Sequence, residues 1–279
     1  MATKIIIDST VDSIDKFENQ TAIVPLSIHF GEEEYIDGVT IDHKMFYDKL
    51  IETDVFPSTS QATPFAFAQE FERVVAAGDE AVVITIASEL SGTYQSAVTA
   101  ARDFEGIYVV DSSTATIGAG CLLEYALQLV EEGMSAADIA QELERVKDRI
   151  IIVALLDTLE YLKRGGRISA TVAFAGGLLK IKPVVALKNG VIEVLGKARG
   201  SKQGKNLLVQ QIQACGGVDF DMPVMLGYTG LSDDVLLKYK EDSRYLWESY
   251  RDDLNHTSVG SVVGTHVGPG AIAVAFFRN

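Results

Sequence analysis

The sequence predicts an α/β fold in two domains: an N-terminal three-layer α/β/α domain on a parallel sheet, and a C-terminal two-layer α/β domain on a mixed or antiparallel sheet. Three observations carry this. First, Lys4–Ile7, Val82–Ile86 and Ile107–Val110 are apolar runs without alternation, the pattern of parallel strands covered on both faces. Second, each ends in a hydroxyl- or carboxylate-rich turn and is followed further on by a helical segment, the order of an open α/β sheet whose ligands bind beyond the carboxyl ends of its strands. Third, this alternation stops near Ile150, and an Asn189-Gly190 turn between β-branched runs then predicts a β-hairpin. The expected boundary lies within residues 148–158, giving domains 1–152 and 153–279.

Taken in order, Lys4–Ile7 is a strand ending in Asp8-Ser9-Thr10, Ala22–Pro25 is a second, and Leu26–Tyr35 is a hairpin around Gly31. Asp42 caps a helix to about Glu52. Phe56–Thr63 reads as a polar loop, and Thr63 followed by Pro64 starts a helix to about Ala77. The strand Val82–Ile86 turns through Ser88 and Ser91-Gly92 into a helix ending near Arg102. Ser91 is its N-cap candidate, and Gly92 lets the backbone approach a ligand. Such a turn converges free N–H groups, a hydroxyl and a positive dipole end, which suits an anion, but taken alone the stretch reads first as a capped helix with nothing bound.

Ile107–Val110 leads to a helix from Ile117 to Glu132 stopped by Gly133, and Ser135 with Asp138 caps the next, to about Asp148. Ile150–Leu156 is a strand, Thr158–Arg164 a short helix, and Ala170–Leu178 a further helix. The hairpin spans Ile181–Leu187 and Val191–Ala198. Ser201–Ala214 is a helix, Pro223–Tyr228 a strand, and Ser232-Asp233 starts a helix. Two apolar strands, Ser258–Gly264 and Ala271–Phe277, close the chain around the loop Thr265–Gly270.

Apolar residues make up 47% of 279, ample for a core, and the net charge of −15 argues against general nucleic-acid binding and adhesion to anionic membranes. Residues 145–205 run against this balance, with 13 Lys/Arg and 4 Asp/Glu, so an anionic ligand or acidic partner fits that segment as well as a solvated surface does. Cys121 and Cys215 stand far apart and read as free thiols. The first apolar run is too short for a signal peptide, and no run is long enough to span a bilayer, so the expectation is a cytoplasmic protein.

Gly118-Ala119-Gly120 lacks the third glycine of a dinucleotide loop and reads as close packing. Gly200–Asn206 is one residue short of a phosphate loop and has Asn where Ser/Thr should bind magnesium. His29, His43, His256 and His266 show no ligand spacing, so no metal and no cofactor is expected. His266 stands apart in Gly264-Thr265-His266-Val267-Gly268-Pro269-Gly270, where glycines flank a polar side chain, as in a ligand-facing loop or a simple tight turn.

Asp8-Ser9-Thr10, Thr59-Ser60-Gln61, Leu90-Ser91-Gly92-Thr93-Tyr94, Gly165-Gly166-Arg167-Ile168, Leu179-Lys180-Ile181-Lys182-Pro183 and Gly264 to Ala271 occur together in that order. This combination resembles the DegV family, the fatty-acid-binding subunits of bacterial fatty acid kinase, from the first strand to the last. Small departures are Ala62-Thr63-Pro64, where the family has Pro directly after Gln, and Ile7-Asp8, where Thr-Asp is common. The resemblance implies a long-chain acyl ligand in a tunnel between two α/β domains. It implies that Thr59 and Ser91, with neighbouring Ser60 and Gly92, hold the carboxylate, and that Arg199 and His266 lie at the same end, where phosphate is added. It further implies a carrier, not an enzyme: one that exchanges its acid transiently with membranes and presents it to a separate ATP-dependent kinase subunit. The competing reading is a serine hydrolase through Ser91 and His266, although Gly-x-Ser-x-Gly is missing.

Overall fold

The computed structural model describes residues 2–14, 21–169, 181–248, 250 and 254–279. The elements before the predicted boundary are β1 (Thr3–Asp8), β2 (Thr21–Val24), β3 (Ser27–Phe30), β4 (Glu33–Ile36), α1 (His43–Glu52), β5 (Ser58–Ser60), α2 (Pro64–Ala76), β6 (Glu80–Thr85), α3 (Thr93–Ala101), β7 (Ile107–Asp111), α4 (Thr116–Glu131) and α5 (Ala136–Val146). After it come β8 (Ile150–Leu155), α6 (Glu160–Arg164), β9 (Ile181–Lys188), β10 (Val191–Arg199), α7 (Gly200–Ala214), β11 (Val224–Tyr228), α8 (Asp234–Asp242), β12 (His256–Ser258), α9 (Ser261–Val267) and β13 (Ile272–Phe277).

The first sheet is wholly parallel, in the order β2-β1-β6-β7. Its unbroken apolar strands are explained by cover on both faces. Successive side chains of a strand point to opposite faces. Accordingly Ile5, Ile7, Val82 and Ile84 pack with α4 and α5 residues such as Leu122 and Leu143, while Ile6, Ala81 and Val83 pack with Phe67, Phe71 and Ala97 of α2 and α3. The second sheet, β10-β9-β8-β13-β11-β12, is mixed, with β11 and β12 its parallel pair. Its outer face carries Leu208 and Ile212 of α7 with Leu236 and Tyr239 of α8. Its inner face, through Ile152 and Ala275, joins the cluster built on α4. Helix α4 therefore lies between the two sheets. Gly118 and Gly120 permit that approach: an added Cβ would stand 3.0 Å from Ile152 and 2.1 Å from the Asp12 carbonyl oxygen.

The local signals act as their chemistry requires. Asp42 accepts from the Met45 N–H, Thr63 caps α2 with Pro64 in the first turn, and Ser135 accepts from the Asp138 N–H. At the hairpin tip Asn189 (φ 49°) and Gly190 (φ 73°) are both left-handed, as a two-residue turn of this hand demands. Gly190 N–H donates to the Ser113 carbonyl at 2.6 Å, tying the tip to the first half of the chain. Along β10, the edge strand of its sheet, the register shifts between Val194 and Gly196.

Three expectations are corrected. Part of the loop Phe56–Thr63 is strand: Ser58–Ser60 pairs antiparallel with Ser27–His29, a bond that three polar residues do not advertise. The span Ser258–Gly264 is not a strand; only His256–Ser258 is, and Ser261–Val267 forms α9. Its β-branched residues favour a strand by propensity, but burial of Val262 and Thr265 on a helical spacing overrides it. Ser91 does not occupy the N-cap of α3, which is Gly92; its hydroxyl still accepts the Thr93 N–H at 3.3 Å, from one residue earlier. The expected helix Ala170–Leu178 and the residues Leu179 and Lys180 lie outside the described residues.

Candidate functional site

A cavity of about 400 Å³ opens between the two sheets. Most of its wall is apolar: Ile86, Leu90 and Ala115 come from the first half of the chain, and Ile152, Ala154, Val185, Leu187, Ile192 and Ala273 from the second sheet. Val262, Val263, His266 and Val267 line it from α9. Helix α9 thus presents residues separated by four positions to one side, which a strand there would not do.

Several polar groups of the wall gather where β5, the start of α3, α6 and the end of α9 converge. Pairing of β5 with β3 fixes Thr59, whose hydroxyl lies 2.9 Å from His266 Nε2. Ser91 and Gly92 line the same cavity from the turn before α3. The Ser91 hydroxyl is 2.9 Å from that of Thr93, and Gln61 Nε2 donates to the Ser96 hydroxyl. Gly92 is required: an added Cβ would fall 2.1 Å from Gln61 Oε1.

Arg167 reaches the cavity from the turn after α6. Its Nε and Nη2 donate to the Leu90 carbonyl at 3.1 and 3.0 Å, and Nη1 to the Gly165 carbonyl at 2.5 Å. Burial, and then the Arg167 charge, push His266 down to about 4, so its imidazole is neutral near pH 7. His266 Nδ1 is buried with no hydrogen-bond partner among the described residues, and Gly165 lies so close that an added Cβ would stand 2.1 Å from it.

The expected site residues are distributed unequally. Thr59, Ser60, Ser91, Gly92 and His266 all line the cavity. The Ser60 hydroxyl, however, lies 2.9 Å from His29 Nε2 at the surface, because neighbouring residues of a strand point oppositely. Arg199 is not brought to the wall. It ends the edge strand, is exposed, and donates its backbone N–H to Gln203 Oε1 at 2.7 Å. Among the described residues the cation at the wall is Arg167, which the Gly165-Gly166-Arg167-Ile168 motif contained without marking it. Nothing pairs Ser91 with His266 as a nucleophile and base: Nε2 is on Thr59 and Nδ1 faces Gly165. Among the described residues no group of three or more His, Cys, Asp or Glu could hold a metal ion, and no helix is long and apolar enough to cross a membrane.

A second polar cluster borders the cavity through Thr116, which begins α4 at a left-handed φ of 45°. The Thr116 hydroxyl donates to Asp12 Oδ2, and Gly260 N–H, capping α9, donates to Asp12 Oδ1 at 2.9 Å. Asp8 accepts from Thr10 through Oδ1 and from the Ile86 N–H through Oδ2. Burial first, with the charges of Asp37 and Asp8, raises Asp12 to about 8, and burial raises Asp37 to about 6.

The whole chain, residues 2–279, matches a family described as uncharacterised protein, DegV family. A DegV domain-containing protein of Deinococcus radiodurans is 33% identical over 99% of this chain and 98% of its own; one from Caldanaerobacter subterraneus is 34% identical over 91% and 90%. Among solved structures, a fatty-acid-binding DegV family protein from Thermus thermophilus superposes with a TM-score of 0.87 at 31% identity, covering all of both chains. A stearic acid-binding protein from Eubacterium ventriosum gives 0.87 at 28%, covering 100% of this chain and 98% of that one. DegV of Bacillus subtilis, a fatty acid binding protein, gives 0.83 at 29% over both full chains. The chain belongs to the DegV family.

Proposed function

We propose that this DegV-family chain holds one long-chain fatty acid in the cavity between its sheets and presents the carboxylate to a separate ATP-dependent kinase subunit for acyl-phosphate formation. The observation that carries the binding step is a largely apolar chamber with four polar side chains, Thr59, Ser91, His266 and Arg167, close together on one part of its wall. The fatty acid binding of the Thermus and Bacillus relatives supports the same choice of ligand.

The physics suits a carrier. Each buried methylene is worth about 0.8 kcal/mol against water, so a tail of ~15 gains roughly 12 kcal/mol before ordering and association costs. Against a membrane, where the tail is already dry, the gain nearly vanishes and exchange is close to balanced. The carboxylate needs hydrogen bonds or a cation on leaving water. A neutral His266 with its proton on Nε2 donates to the Thr59 oxygen, which frees the Thr59 proton to point at the ligand; Ser91 supplies a second hydroxyl. Arg167 offsets the charge that a phosphate would add, the part first expected of Arg199. The kinase hand-off rests on the family resemblance and on the head group lying at one end.

The test is mass spectrometry of small molecules extracted from the purified protein, followed by reconstitution with a fatty acid kinase subunit and ATP. A long-chain acid lost from a Thr59→Ala/Ser91→Ala variant, together with turnover, is the expected result. An empty cavity in the unaltered protein refutes binding, and retention without turnover refutes the hand-off. Esterase turnover abolished by Ser91→Ala would instead establish the hydrolase.

A further inference from the structure

Strand pairing of the second sheet lines up its smallest inner-face residues. Val185 pairs with Ala154, Ala154 with Ala273, and Ala273 with Gly227, so one row crosses β9, β8, β13 and β11. In the row beside it, on the same face, Ile192 pairs with Leu187, Leu187 with Ile152 and Ile152 with Ala275, so this side is bulky as far as β8. Leu156, Ala271 and Thr229 stand on the other side, held by the Leu156 N–H to Pro183 carbonyl and Thr229 N–H to Ala271 carbonyl bonds. Apart from Pro183 and Ala275, these residues line the cavity. With strands ~4.8 Å apart, the Ala154–Ala273–Gly227 floor is about 10 Å long.

At Gly227 this trench is stopped. A Cβ there would lie 3.0 Å from Ile117 Cγ2 and 3.1 Å from Val259 Cγ2, so the first turn of α4 and the segment before α9 together fill the space of the missing side chain. Val259 is fixed by its N–H to the Tyr228 carbonyl at 2.8 Å. Helix α9 begins two residues after Val259, at Ser261, and His266 lies about 7.5 Å further along it at 1.5 Å per helical residue. Val259 thus precedes the start of α9 and His266 lies near its end, so the stop and the polar cluster are towards opposite ends of that helix.

We infer that Gly227, closed by Ile117 and Val259, is the position that limits acyl chain length, and that Ala154 and Ala273 form the track leading to it. This rests on the fatty-acid reading above. A tail lying on the track reaches its terminal methyl at Gly227. Each carbon beyond that point must displace Ile117 or Val259 from a packed interior, where overfilling is resisted.

The experiment offers the delipidated full-length protein an equimolar mixture of saturated acids from lauric to arachidic and measures those retained by mass spectrometry, with circular dichroism on each variant. Gly227→Ala is expected to shift the retained distribution toward shorter acids, by about four-fold in ratio for each methylene excluded. Ile117→Ala, which opens the stop, is expected to shift it toward longer ones; should that variant fail to fold, Gly227→Ala decides alone. A folded Gly227→Ala protein retaining the unaltered distribution overturns the inference while leaving the carrier reading in place. Retention of no acid by the unaltered protein overturns both.

Discussion

Two polar clusters lie buried against one cavity, and they are finished to different degrees. Around Asp8 and Asp12 every carboxylate oxygen accepts a bond from this chain: Thr10, Ile86 N–H, Gly260 N–H or Thr116. Around His266 the bonding is incomplete, with Nδ1 lacking a partner among the described residues and two hydroxyls and a guanidinium on an apolar wall. A buried polar group left unmatched costs roughly 1–3 kcal/mol, so a fold keeps such groups where something else supplies the match. The first cluster is architecture joining β1, α4 and α9; the second is where the proposed ligand would find its hydrogen bonds.

The largest expected effect separates the two by pH. Asp12, raised above its unfolded value near 3.9, keeps its proton in the native state while the unfolded chain releases it, so its contribution to stability falls as pH rises from about 4 to about 8. His266, lowered from about 6.5 to about 4, works with opposite sign: its contribution is lost as pH falls through that window. Denaturant midpoints across pH should show Asp12→Asn reducing the decline between about pH 4 and 8, to which the raised Asp37 and Asp8 also contribute, and His266→Gln removing the acid loss; an unchanged profile for Asp12→Asn would erase the distinction. Next in size is Gly165→Ala, whose methyl would strike the His266 ring. We expect fatty-acid affinity to fall about 30-fold by fluorescent-ligand displacement, about 2 kcal/mol, the cost of a typical overpacking. Thr59→Val keeps the shape and removes one hydroxyl, which predicts about a tenfold loss of affinity with the unfolding midpoint little changed. Smallest is Ser60→Ala, below about three-fold in the same assay, since that hydroxyl is spent on exposed His29.

Much of the scaffold was legible because it is written in short-range chemistry. Unalternating Val82–Ile86 announced a doubly covered strand, Asn189-Gly190 the hairpin, and Thr63-Pro64 a helix start. What escaped notice depends on distant partners. Strand β5 exists because β3 lies beside it, and α9 is a helix because its valines meet a core. The motif Thr59, Ser91 and His266 was readable as a set of candidates, but not the 2.9 Å contact between residues 207 positions apart. Arg199 looked suitable at the end of a predicted strand, yet position in a strand does not say whether the cavity extends that far; Arg167, on a Gly-Gly turn, was the one folded inward. Asp12 carried no local sign at all, since its partners are Thr116 and Gly260.

The register shift in β10 has a bearing on how this molecule behaves in company. That ribbon forms the rim of a six-stranded sheet, and its outer hydrogen-bonding groups have no neighbouring strand among the described residues. A straight rim of that kind invites another chain to dock and prolong the sheet; a kink at Val194–Gly196, with Glu193 and Lys197 on either side, spoils the template. The irregularity therefore works against prolonging this sheet through a second copy of the chain.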